Sequence, residues 1–106
     1  METYILISTT TNSRESARDL AAILLKDKSV ACVQIIPDIE SYYQWENKLK
    51  VESEFLLLIK TAEEQKNHVT NIIKKTHPYS TPEVISHQID ILDENYRKWF
   101  KSSMEV

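Results

Sequence analysis

The stretch LKVESEFLLLIK, Leu49 to Lys60, decides the fold. Leu49, Val51, Ser53, Phe55, Leu57 and Ile59 fall on one face at the period of two that a strand imposes. Leu56 and Leu58 stand between the last of them, so the inner end of this strand is apolar on both sides. Glu54 and Lys60 flank those two leucines on the second face. A strand covered on both faces reads as such a continuous apolar run.

Working upstream, Ile39 to Trp45 reads as the antiparallel partner, joined through the tight turn Trp45-Glu46-Asn47-Lys48. The chain contains no glycine, so backbone with positive φ falls to Asn and Asp, which tolerate it best. Asn47 and Asp38 are the candidates. Before Asp38 the sequence is β-like from Ser29 through VACVQII, and Pro37-Asp38 interrupts it. A proline there belongs to an edge strand or a bulge. The resulting hairpin is long for a chain of 106 residues.

Further out, Thr3 to Thr9 predicts a first strand. Asn12 with Glu15 has capping-box spacing, and Ala17, Leu20, Ala21 and Leu24 then recur at helical intervals until Lys26-Asp27-Lys28. Downstream, Thr61 with Glu64 gives a second capping-box spacing. Ala62, Val69, Ile72 and Ile73 predict a helix that Pro78 ends. His77-Pro78-Tyr79-Ser80-Thr81-Pro82 is a stiff connection, Glu83 to Ile91 a fourth strand, and Asp93 the cap of a short helix carrying Tyr96, Trp99 and Phe100. The order predicts one α+β domain over residues 1–106, a ferredoxin-like βαββαβ sandwich with a long second hairpin and a short C-terminal helix. Right-handed crossovers put both longer helices on one face of the sheet. The other face carries Leu56 and Leu58 where a monomer would be polar, and such a patch marks a protein contact. Self-association is the strongest functional inference from pattern.

Composition narrows the partners. A net charge of −3 and a pI near 5.6 disfavour nucleic acid. RNA-binding sheets also need aromatic residues on the central strands, and here only Tyr4 and Phe55 are available. The first strand is too short and uncharged for a signal segment or a membrane span, so a cytoplasmic protein is expected. Glycine-dependent phosphate loops are excluded. The segment STTTNSRES offers Arg14 and helix N–H groups but no glycine cradle. No serine has a histidine placed by sequence to activate it, so no enzyme is expected.

Cys32 is the only cysteine. It forms no Cys-x-x-Cys and is expected to be an inert buried side chain. Of the three histidines, His68 reads as solvated, His87 as a surface or interface position, and His77 as the end of the second helix, where imidazolium suits the dipole. Imidazole with a carboxylate also suits copper or zinc, and Glu83 is one short turn from His77. Glu54 and Lys60 read as an interface rim or as the lining of a cleft between subunits.

The stretches ACVQIIPDIESYYQWENKL (Ala31–Leu49), SEFLLLIKT (Ser53–Thr61) and HPYSTPEVI (His77–Ile85), followed by Tyr96 and Trp99, closely resemble the CutA family of divalent-cation-tolerance proteins. The resemblance covers nearly the whole chain. It implies a homotrimer of ferredoxin-like subunits, similar in architecture to the PII signalling proteins, with inter-subunit surfaces here at Tyr43, Trp45, Glu54, Leu56, Leu58, Lys60 and Glu83. It also implies a link to copper and divalent-metal tolerance. The family's usual glycines are replaced by Asp38 and Asn47. Its proposed copper site draws on a cysteine and two histidines; this chain has Ser8, Thr76 and His77 in their places, so only His77 carries over. The resemblance therefore implies weak binding of Cu(II) or another divalent cation at His77, with no required cofactor. A regulatory or scaffolding trimer that binds a small ligand or protein between subunits is the alternative.

Overall fold

Alternating apolar residues, two amphipathic helices and one long hairpin assemble in the computed structural model, which describes residues 2–104. The elements are β1 (Tyr4–Thr11), α1 (Arg14–Lys26), β2 (Cys32–Trp45), β3 (Lys48–Ala62), a 3-10 turn (Glu63–Gln65), α2 (Lys66–Thr76), β4 (Ile85–Ile89) and α3 (Glu94–Ser103). The four strands form one antiparallel sheet in the order β2-β3-β1-β4. This is the expected α+β, ferredoxin-like arrangement.

The main core lies between the sheet and the two longer helices. Ile5 and Ile7 of β1 and Leu57 and Ile59 of β3 meet Ala17, Leu20 and Leu24 of α1 and Val69 and Ile73 of α2. The odd positions of β3 do face the helices, but only at the inner end. Leu57 and Ile59 are fully buried, while Leu49 and Val51 at the outer end are 68% and 52% exposed. Helix α3 closes a second cluster on the other side, where Phe100 packs edge-on against Tyr4 at 4.9 Å, beside Ala31 and Ala62. Asp93 caps α3 as expected, accepting from the Tyr96 amide at 2.8 Å.

The other two helix starts differ from expectation. β1 runs on to Thr11, so the extended residue before α1 is Ser13; its hydroxyl accepts from the Ser16 amide, and Asn12–Glu15 forms no capping box. Thr61 caps no helix. It is still in β3, buried, and donates to the Ser29 carbonyl at 2.6 Å, while a 3-10 turn leads into α2. β4 spans Ile85–Ile89 alone, the stretch that pairs with Tyr4–Ser8, and not Glu83 to Ile91. Cys32 is half-buried, not a core residue: Val33 and Ile35 alternate with it toward the helices and turn its thiol to the opposite face.

Pro37 lies on edge strand β2, and the ladder slips by one residue around it. Ile36 pairs with Leu56, but Ile39 pairs with Glu54, so three steps on β2 oppose two on β3. The extra residue is a β-bulge, with Asp38 at φ 56° as expected. Asn47 also has positive φ, and so do Glu46 and Lys28, which sequence did not single out. The two-residue loop between Trp45 and Lys48 needs left-handed backbone at both positions to match the strand twist. Lys28 occupies the left-handed position that follows a helix end, after Asp27.

Candidate functional site in the outer hairpin

The bulge determines which side chains meet. On the inner part of β2 the even residues Cys32, Gln34 and Ile36 share the face of Lys60, Leu58 and Leu56; beyond the bulge the odd residues Ile39, Ser41, Tyr43 and Trp45 take it over, opposite Glu54, Glu52, Lys50 and Lys48. One inserted residue thus turns Tyr43 and Trp45 onto the side of the sheet away from α1 and α2. There they line a concavity of about 580 Å3, with Glu52, Glu54 and Lys50 from β3, Thr10 from β1, and Tyr79, Ser80, Thr81 and Glu83 from the stiff connection.

Two tyrosine–carboxylate bonds organise this concavity. Tyr79 donates its hydroxyl to Glu54 at 2.7 Å, and Tyr43 donates to Glu52 at 2.8 Å. Burial, reinforced by the bond to Glu54, raises the Tyr79 pKa well above the ordinary tyrosine value, and the bond to Glu52 raises that of Tyr43. Both phenols therefore stay protonated and serve as donors. Glu54 is only 6% exposed.

His77 sits behind this wall. Its Nε2 lies 2.7 Å from the Thr10 carbonyl oxygen, and its Nδ1 accepts from the Tyr79 amide at 3.0 Å. Those partners together specify the neutral ring with the proton on Nε2. The imidazole also packs against the Tyr79 ring at 4.7 Å between centroids. Both nitrogens are thus engaged with backbone, and a metal could reach Nδ1 only by displacing the Tyr79 amide. Thr76 turns its hydroxyl back onto the Ile72 carbonyl, and Ser8 lies in β1 opposite Leu58 and Ile85. Among the described residues no group of three or more His, Cys, Asp or Glu is placed to hold a metal ion. The residues present do not fit a chelating metal site within one subunit.

Of the residues singled out from sequence, Tyr43, Trp45, Glu54 and Glu83 come together in the concavity. Leu56, Leu58 and Lys60 continue the same face inward without lining it. Sequence reading missed Lys50, Glu52 and Tyr79. The first two lie at even spacing from Glu54, and the third lies inside the HPYSTP stretch, so period and motif both contained the signal. Arg14, at the start of α1, places its guanidinium 5.1 Å over the Phe55 ring.

The family model described as CutA1 divalent ion tolerance protein matches residues 5–103. The chain is 38% identical over 99 residues to "Protein CutA, chloroplastic" of Arabidopsis thaliana, covering 93% of this chain and 54% of that protein. It thus spans about half the length of that curated relative. Among solved structures, the divalent ion tolerance protein CutA1 from Ehrlichia chaffeensis superposes with a TM-score of 0.94 at 31% identity, covering 100% of this chain and 99% of that one. The periplasmic divalent cation tolerance protein CutA from Archaeoglobus fulgidus gives 0.91 at 32% identity, covering 96% and 99%. The Arabidopsis and Archaeoglobus proteins carry chloroplastic and periplasmic in their names, whereas cytoplasm was expected for this chain; no helix among the described residues is long and apolar enough to cross a membrane. In sequence and in fold, the chain belongs to the CutA1 divalent ion tolerance family.

Proposed function

We propose that this protein acts as a non-catalytic homotrimer in divalent-cation tolerance, in the cytoplasm. One observation carries the reading: among the described residues, nothing covers the outer hairpin and the face continuous with it. Ile36, Trp45, Leu49, Val51 and Ile85 are each more than 40% exposed, and Leu56 and Leu58 are only half-buried. Isolated two-stranded hairpins are marginal in water, so a hairpin with apolar residues on both faces favours packing against other copies. The family supplies the number three and the link to divalent ions. Within this reading copper(II) or another divalent cation binds weakly at His77, because its ring nitrogens already have backbone partners.

Light scattering at micromolar concentration should give about three times the 12.4 kDa chain mass. Val51→Lys, which places a charge at the apolar outer end, should shift the population to smaller species. A monomer for the unaltered chain would overturn the proposal. The concavity favours a second reading, a PII-like regulatory trimer that takes a small ligand or a protein partner in its inter-subunit clefts. Its volume lies within the range of small-ligand pockets, roughly 300–1,000 Å3.

A further inference from the structure

The ligand chemistry of the concavity can be read from its lining. Three carboxylates, Glu52, Glu54 and Glu83, face one ammonium, Lys50. Glu54 is more than nine-tenths buried. Tyr79 occupies one of its oxygens, and no protein cation pairs with it: among the described residues the ion pairs are Lys66–Glu63, His68–Asp27, Lys98–Glu94 and Lys101–Glu2. A carboxylate withdrawn from water favours a counter-charge strongly. The hydrogen bond from Tyr79 is neutral and leaves that charge without a counter-charge among the described residues of the chain.

The walls select the kind of cation. A hard metal ion requires several oxygens converging on one point, and the carboxylates here do not converge. Three aromatic side chains, Tyr43, Trp45 and Tyr79, line the same space. Aromatic faces attract organic cations, Trp most strongly, and more so where water is excluded. The wall is also preformed, since His77 fixes Tyr79 through its amide and its ring. From these features we infer that the concavity binds a small organic cation, an alkylammonium, with its charged head at Glu54 and its carbon body against Trp45 and Tyr43. The inference rests on the second reading above, that the cleft takes a small ligand.

The test uses the full chain carrying Trp99→Phe, which leaves Trp45 as the sole tryptophan. Its emission is followed while n-butylammonium chloride is added, with potassium chloride and n-butanol as comparators and light scattering as an independent readout of assembly. The expected result is a saturable change with n-butylammonium alone. Glu54→Gln should weaken it at least about tenfold, the scale of one lost charge pair. Glu83→Gln, at an exposed position where folding is not at risk, should weaken it by a smaller factor. A matching response to potassium, or an undiminished one in both variants, would overturn the inference. Equal saturation by n-butanol would overturn the cation and leave a ligand-binding cleft standing. No response to either compound, with the assembly intact, would overturn both. If the unaltered chain is silent and Glu54→Gln dissociates the assembly, the counter-charge comes from a neighbouring copy and the free ligand is overturned.

Discussion

The two halves of the β2–β3 hairpin share one apolar alternation on β3 and meet opposite circumstances. In the inner half, Leu57 and Ile59 are fully buried beneath α1 and α2. In the outer half, Leu49 and Val51 continue the same alternation on the same face but lie mostly exposed, because neither helix reaches them. The described chain is correspondingly elongated, 46 × 25 × 22 Å. Alternation specifies which face a residue occupies; the elements packed on that face decide whether it is buried. The inner half is stabilised by its own chain. Under our proposal the outer half is stabilised by other copies, and the concavity lies in that half.

The bulge separates the two halves, so the largest effect should come from removing it. Inserting an alanine between Glu54 and Phe55 gives the extra residue a partner, makes three steps on β3 oppose the three on β2, and turns Tyr43 and Trp45 to the helix side of the sheet. The inner core should survive, with helical circular dichroism and a cooperative thermal transition retained, while self-association is lost. A chain that still assembles to the same mass after the insertion would show that the face beyond the bulge is not the interface.

A smaller effect should come from the turns, one in each half. Lys28 follows α1 beside the inner half, and Glu46 and Asn47 close the outer half, all with positive φ, which Lys and Glu resist more than Asn. Left-handed backbone costs a non-glycine residue about 1–2 kcal/mol. Lys28→Gly should therefore raise unfolding stability by about 1 kcal/mol at every protein concentration. Glu46→Asn with Asn47→Gly installs the preferred two-residue loop. It should give a comparable gain that depends on concentration, because the outer half is ordered together with its partners. Denaturant midpoints at two protein concentrations distinguish these outcomes, and identical behaviour of both variants would remove the contrast between the halves.

Much of this was legible in the sequence. Period two along Leu49–Ile59 gave the strand and its two faces, and Pro37-Asp38 marked the interruption. Which face Tyr43 and Trp45 take depends on counting residues across that interruption against a partner strand, and that pairing is nonlocal. The engagement of His77 was hidden for the same reason, since its Nε2 partner Thr10 is 67 residues away. Thr61 resembled a helix cap because Thr-x-x-Glu is a local pattern. A bond to Ser29, 32 residues distant, kept it in the strand. Local spacing therefore located the elements, Glu54 and Glu83, and the family resemblance pointed to Tyr43 and Trp45, while long-range hydrogen bonds decided how neighbouring polar side chains are used.

The smallest expected effect tests the inner half alone. Asp27, at the end of α1, accepts a hydrogen bond from His68 of α2 at 2.7 Å, linking the two helices that cover the core. That bond favours the ionised carboxylate and lowers the Asp27 pKa from its ordinary value of 3.8. A carboxyl group whose folded value is depressed adds stability at pH above its unfolded value, and the contribution is lost as pH falls through the lower folded value. Both side chains are substantially exposed, at 54% and 37%, so water screens the pair and the contribution is small. His68→Ala should thus lower the melting temperature slightly at about pH 5, and the gap to the unaltered chain should close as pH falls below 3.8. Because the pair lies under no part of the outer hairpin, the variant should keep the assembly mass of the parent. A gap that stays constant into acid would mean that His68 contributes through packing on α1 and not through the charge of Asp27. A loss of assembly would mean that the two halves are coupled through the helix layer.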